Sequence, residues 1–246
     1  MPGYAESGPF TKGVVMKTRI LSVLIAVLAF LPTGCIAQYV NPHPVPLGTV
    51  RVWVDERQSY VGPLDAVQAC AFWKPKGIQC VLVAHAEDAD VKISIDTTDA
   101  LTLARWRFTE ARKGTMQWTH AMKPECLSTL PDPATATASD CTAAITHMDT
   151  GNVTVYPMCI GQDKLQMEYK APLVRILAHE IGHALGVDHV PTSCDDKCVQ
   201  YVNGADGKPI CGSGIMNAPT ANIDFITPAD AAMFDHRAPN MPPRKP

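Results

Sequence analysis

The sequence predicts one α+β domain in which a twisted mixed sheet carries a few helices. Three observations lead there. Alternating runs at residues 49–55 (TVRVWVD), 91–95 (VKISI) and 152–156 (NVTVY) set β-branched side chains on one face, the mark of half-buried strands. Residues 63–73 and 172–185 instead repeat apolar residues every three to four positions, as amphipathic helices do. No internal repeat appears and no composition break marks a second domain.

The elements follow in chain order. Lys17 and Arg19 precede an uncharged run at residues 20–31 (ILSVLIAVLAFL). A bilayer span needs about 17–25 apolar residues, so this run fits the core of a secretory signal instead. Met16 offers an alternative start, which would leave residues 1–15 untranslated. Two cleavage readings stand. Residues 31–35 (LPTGC) resemble a bacterial lipoprotein box that would lipidate Cys35, although Pro32 departs from the usual aliphatic residue. The other reading cuts after Ala37, with Cys35 and Ala37 at the small-residue positions. Residues 1–37 therefore form an export signal, and residues 38–48, with three prolines, an extended linker.

Residues 49–55 form the first strand. Pro63 opens a helix with Leu64, Val67 and Ala71 on one stripe, and Pro75 and Gly77 stop it. Residues 78–84 and 91–95 read as the next strands. In the stretch 97–150 a short strand is expected at 116–120, and a Pro/Ala/Thr/Ser-rich loop between Cys126 and Cys141. Residues 152–156 form another strand. Thr227-Pro228-Ala229-Asp230 caps a closing helix to about residue 234, and residues 237–246 are a Pro-rich tail.

Composition narrows the function. Hydrophobic residues make up 46% and charged residues 18%, with a net charge of −3, so wholesale disorder is excluded. A slightly acidic chain without a Lys/Arg stripe excludes a basic nucleic-acid footprint. Nine cysteines are present; once Cys35 is set aside, eight remain, an even number suited to disulfides in an exported chain. Local spacing favours Cys70 with Cys80 and Cys126 with Cys141. Cys194, Cys198 and Cys211 could also suggest a zinc knuckle, but bridges fit an oxidising compartment better.

The chemistry concentrates at residues 172–189, PLVRILAHEIGHALGVDH. Pro172 suits a first helical turn. His179 and His183 are four apart and project from the same helix face, where two imidazoles can grip one Zn²⁺ at about 2.0–2.1 Å. Gly186 can take a positive φ and turn the chain so that His189 supplies a third ligand. The fourth position stays open for water, and Glu180 lies within reach of it as a general base. The five fixed positions of H-E-x-x-H-x-x-G-x-x-H match by chance on the order of 10⁻⁵ times per chain.

This motif resembles that of the metzincin zinc endopeptidases, and HEIGHALGVDH looks most like the matrixin (matrix-metalloprotease-like) group. The resemblance implies a zincin fold over roughly residues 49–236, with a catalytic helix and a C-terminal helix. It implies a Met-turn, which Gly214-Ile215-Met216-Asn217 fits, with Met216 beneath the zinc. It also implies structural Ca²⁺ and a second zinc. Their ligands are not placed by the sequence; His85, His120 and His147 are candidates, and the plainer reading makes each a surface histidine. Val190 replaces the serine usual after the third histidine, and no tyrosine follows Met216 as an extra ligand. The 27 positions from His189 to Met216 make a long interval with three cysteines, so this wall of the cleft is expected to be rebuilt. No PRCGVPD-like segment occurs, so latency through a cysteine ligand is not expected.

The expected function is an exported zinc endopeptidase acting on protein or peptide, as a monomer, either free or membrane-attached through a lipidated Cys35. The runner-up is a metal-binding surface lipoprotein with a binding or adhesion role and no turnover. A hydrolase of short peptides or cell-wall cross-bridges is a third reading. An extended substrate would lie along a sheet edge, for which residues 116–120 are the candidate.

Overall fold

The computed structural model describes residues 48–57, 60–147, 150–160, 173–217, 223 and 225–237. The signal region with Met16 and Cys35, the linker before Gly48, Pro172, and the tail beyond Arg237 lie outside the described residues. So do the side chains of Gln117 and His120.

Five strands form one mixed sheet: β1 (Thr49–Val54), β2 (Gln79–Leu82), β3 (Val91–Ile95), β4 (Ala144–His147) and β5 (Asn152–Val155). Their spatial order is β2-β1-β3-β5-β4. β1 pairs in parallel with β2 and β3, and β3 with β5, while β4 runs antiparallel to β5. Val50, Val52 and Val54 alternate into the core with Val91, Ile93, Val153 and Val155, as the period-2 pattern requires. Helices α1 (Pro63–Ala71) and α5 (Leu173–Ala184) cover that face. Trp73, just after α1, is fully buried between them, donates from its indole nitrogen to Ala178 O at 2.8 Å, and stacks on Phe234. The last helix, α6 (Pro228–Arg237), adds Met233 and Phe234 to the same core.

A smaller cluster gathers Leu103, Ala104 and Phe108 with Tyr156, Cys141 and Cys159. Ile145 packs against it, and Ile145 alternates along β4 with Ala144 and Thr146, so this cluster occupies the sheet's other face. It rests on α2 (Ala100–Lys113), a helix that the sequence reading missed. Its punctuation is nonetheless present: Asp99 accepts from Thr102 N at 2.9 Å, Ala100, Leu103, Ala104, Phe108 and Ala111 are buried at helical spacing, and Gly114 ends it at φ 76°. Charged residues on its outer face diluted the apolar stripe.

Three expectations are corrected. The face of α1 that packs inward is Ala66, Ala69 and Cys70, whereas the expected stripe of Leu64, Val67 and Ala71 is exposed. Residues 116–120 are not a strand: Gln117–His120 form a single helical turn (α3), followed by another at Pro124–Leu127 (α4). The Thr119 amide and hydroxyl both turn back to Met116 O, which closes the backbone locally instead of offering it to a sheet. The sheet's edge strands are β2 and β4. The Cys126–Cys141 pairing also fails, because Cys141 lies in the α2-side cluster and bonds Cys159. Cys126 bonds Cys198, Cys194 bonds Cys211, and Cys70–Cys80 is as expected. Four disulfides suit an oxidising environment.

Candidate metal centre

Helix α5 is buried from Arg175 to Ala184, its polar side chains Arg175, His179, Glu180 and His183 included. His179 and His183 stand one turn apart on it. Gly186, at φ 82°, reverses the chain after Leu185, and its amide returns to His183 O at 2.8 Å. That reversal brings His189 round. The three Nε2 atoms form a triangle with sides of 2.9, 3.2 and 3.3 Å. Tetrahedral ligands at 2.0–2.1 Å from one zinc sit about 3.3–3.4 Å apart, so the triangle is close to the required size.

The tautomers are fixed from behind. His179 Nδ1 donates to Ile215 O at 2.7 Å and His183 Nδ1 to Val187 O at 2.8 Å, since a carbonyl only accepts. A neutral ring that donates from Nδ1 keeps a lone pair on Nε2. Two such lone pairs 2.9 Å apart cannot hydrogen-bond each other, whereas a cation between them satisfies both. Burial, reinforced by His179, holds His183 well below the usual histidine range and so favours the neutral ligand form. His179, His183 and His189 thus fit a metal ion. Among the described residues they form the one such group; His85 and His147 are exposed and belong to none.

No family model and no curated protein matches the chain.

Glu180 is buried beside His179. Burial pushes its carboxyl up, while His179 and the hydroxyl of Thr146 pull the other way. Thr146 Oγ1 lies 2.7 Å from Glu180 Oε2 and 2.9 Å from Glu180 O.

Below the histidines the turn at residues 214–217 closes the site. Met216 is fully buried, and a Cβ placed on Gly182 would stand 2.5 Å from its sulfur and equally close to the Trp73 ring. Gly182 is therefore the residue that lets the turn press against α5. Asp230, also fully buried, accepts from Ile215 N and Met216 N at 3.0 Å each and from Thr227 N at 2.8 Å. Asn217 donates to Val190 O at 2.6 Å and Gly212 O at 2.9 Å, and accepts from Gly214 N. Val190, the departure from the matrixin serine, is a core residue here. Asp188 accepts from His189 N at 2.9 Å and from Arg237 of α6 at 2.9 Å, so the loop carrying the third histidine is clipped to the last helix.

The structure brings together His179, Glu180, His183, His189 and, through Gly182, Met216. Sequence reasoning missed Thr146, Gly182 and the Asp188–Arg237 pair, and placed Asn217 in the turn without its role of fastening it. It read Asp230 only as part of a helix cap, for which T-P-A-D was the signal. The capping bonds are there, but the same carboxylate also holds the turn.

Proposed function

We propose that the chain is an exported zinc-dependent endopeptidase of the metzincin type, closest to the matrixins, with His179, His183 and His189 as ligands, Glu180 as general base and acid, and Met216 in the Met-turn. The observation that carries this reading is the convergence of three Nε2 atoms, two with their tautomer fixed, beside a buried carboxylate that is not one of the converging groups. A purely structural site has no use for that carboxylate.

A Zn²⁺ held there would polarise a scissile carbonyl and acidify water. Glu180 takes a proton from the attacking water and delivers it to the leaving amine nitrogen. Its burial keeps bulk water from competing for that proton. β4 pairs on one side only, with β5, among the described residues, so its other side can align an extended peptide by backbone hydrogen bonds. Export follows from the signal-like N-terminus and agrees with four disulfides, with lipidation at Cys35 deciding between an anchored and a free form.

The test is metal analysis together with a peptide-library digest. The parent should hold one zinc per chain and cleave internal peptide bonds, and His183→Ala should lose both properties. Glu180→Gln keeps the size of the side chain and should retain zinc while turnover falls by at least about 10²-fold. Full turnover in zinc-loaded Glu180→Gln would show that this carboxylate is not the base.

A further inference from the structure

We propose that Thr146 is a positioning residue for Glu180, fixing the rotation of its carboxylate from the edge strand β4. This rests on the peptidase reading above. Thr146 lies on β4 opposite Val153, on the face that packs against α5. The neighbours on that face, Ala144, Val153 and Val155, are apolar, so a buried hydroxyl there is costly unless it is bonded. Glu180 offers it two acceptors. Its oxygen is within 2.9 Å of the Glu180 carbonyl and within 2.7 Å of Oε2. A hydroxyl has one hydrogen and both Glu180 atoms can accept it; the carboxylate oxygen Oε2 is the nearer.

The consequence is geometric. A glutamate on a helix has a freely turning terminal carboxylate, and general-base catalysis needs one oxygen held toward the water it deprotonates. Thr146 tethers Oε2 and thereby sets the direction of the other oxygen. Because Thr146 belongs to the strand proposed to align the peptide, the same element orients both the substrate backbone and the base. A strand residue that only filled space would be as well served by valine, which has the same shape.

Thr146→Val and Thr146→Ser, measured for zinc content, KM and kcat, test this. Thr146→Val should keep one zinc per chain and an unchanged KM, with kcat lowered about 10-fold, the size of one lost hydrogen bond to a charged group. Thr146→Ser, which restores the hydroxyl, should recover at least half of the turnover. Parental kcat in zinc-loaded Thr146→Val, or a valine effect that serine does not rescue, overturns the proposal. A thermal double-mutant cycle reads the contact without activity. Thr146→Val should lower the melting midpoint by about 2–4 °C in the parent and by less in the Glu180→Ala background, where the hydroxyl keeps only the main-chain carbonyl of residue 180. Equal shifts in both backgrounds overturn the proposal. If the zinc-loaded parent cleaves no peptide, the peptidase reading falls separately, and the cycle still decides whether Thr146 holds Glu180.

Discussion

The region around α5 and the lobe formed by residues 116–130 with 193–211 are held together by opposite means. Around α5 the site is built inside the core, with the histidines backed by carbonyls and the turn at 214–217 fastened by Asp230 and Asn217. The lobe has little to bury: residues 192–197 and 205–209 are exposed. It is tied by Cys126–Cys198 and Cys194–Cys211, by Lys123 N donating to Cys198 O at 2.8 Å, and by Tyr201, whose hydroxyl donates to Ser193 O and accepts from Asp196 N. Cross-links substitute for a core where apolar residues are few. The two regions meet where Ile210 of the lobe enters the main core and Val202 packs against it. Asn217 grips Val190 O and Gly212 O, the two ends of the lobe's segment, and Gly212 N returns to Pro191 O. That staple joins the ends of the lobe's segment directly after the loop that carries His189.

The largest effect should come from the buried side of this comparison. Asp230→Ala leaves the amides of Ile215, Met216 and Thr227 buried without their acceptor. Each orphaned donor costs about 1–3 kcal/mol, so a loss of about 3–5 kcal/mol in unfolding free energy is expected, along with weaker zinc retention. Denaturant unfolding of the zinc-loaded chain measures it. A change below about 1 kcal/mol would mean that the turn is held by packing alone.

Next comes the lobe. Changing Cys126 and Cys198 together to serine opens a link across 72 positions, and chain entropy sets the loss at about 2–4 kcal/mol. Zinc content and peptide hydrolysis should nonetheless stay within about twofold of the parent, because the Asn217 staple remains. Limited proteolysis should cut faster within 116–130 or 193–211. Loss of zinc from this variant would break the separation drawn between the two regions.

Legibility in the sequence follows the same division. The histidine motif, its glycine turn and strands β1, β3 and β5 could be read because burial imposes a period on the residues that do it. The turn at 214–217 could be anticipated from its place after the motif. What holds it could not, since Asp230 lies thirteen positions beyond Asn217 and nothing local announces the contact. Thr146 was hidden for a related reason: one polar residue in a short apolar edge strand reads as a solvent-facing position. In the lobe, cross-linking replaces periodicity, so residues 116–120 imitated a strand and Cys126 took the wrong partner by proximity in sequence.

The smallest effect in free energy should still strike the metal site. Gly182→Ala adds one methyl group, at a helical position where alanine is otherwise favourable. That methyl would stand 2.5 Å from both the Met216 sulfur and the Trp73 ring. The methionine end can swing aside, but Trp73 is fully buried and its indole is bonded to Ala178 O, so the helix and the turn must separate slightly. Overpacking of this kind costs about 1–3 kcal/mol. His179 reaches its backing carbonyl on Ile215, within the turn being displaced, so zinc should dissociate faster even though the chain stays folded. Combining Gly182→Ala with Met216→Ala removes one of the two obstructions, so the pair should lose less stability than the sum of the single changes. Chelator-driven zinc release and denaturant unfolding of the four chains measure both effects. Strict additivity, or unchanged zinc release in Gly182→Ala, would show that the turn does not bear on α5 through Gly182.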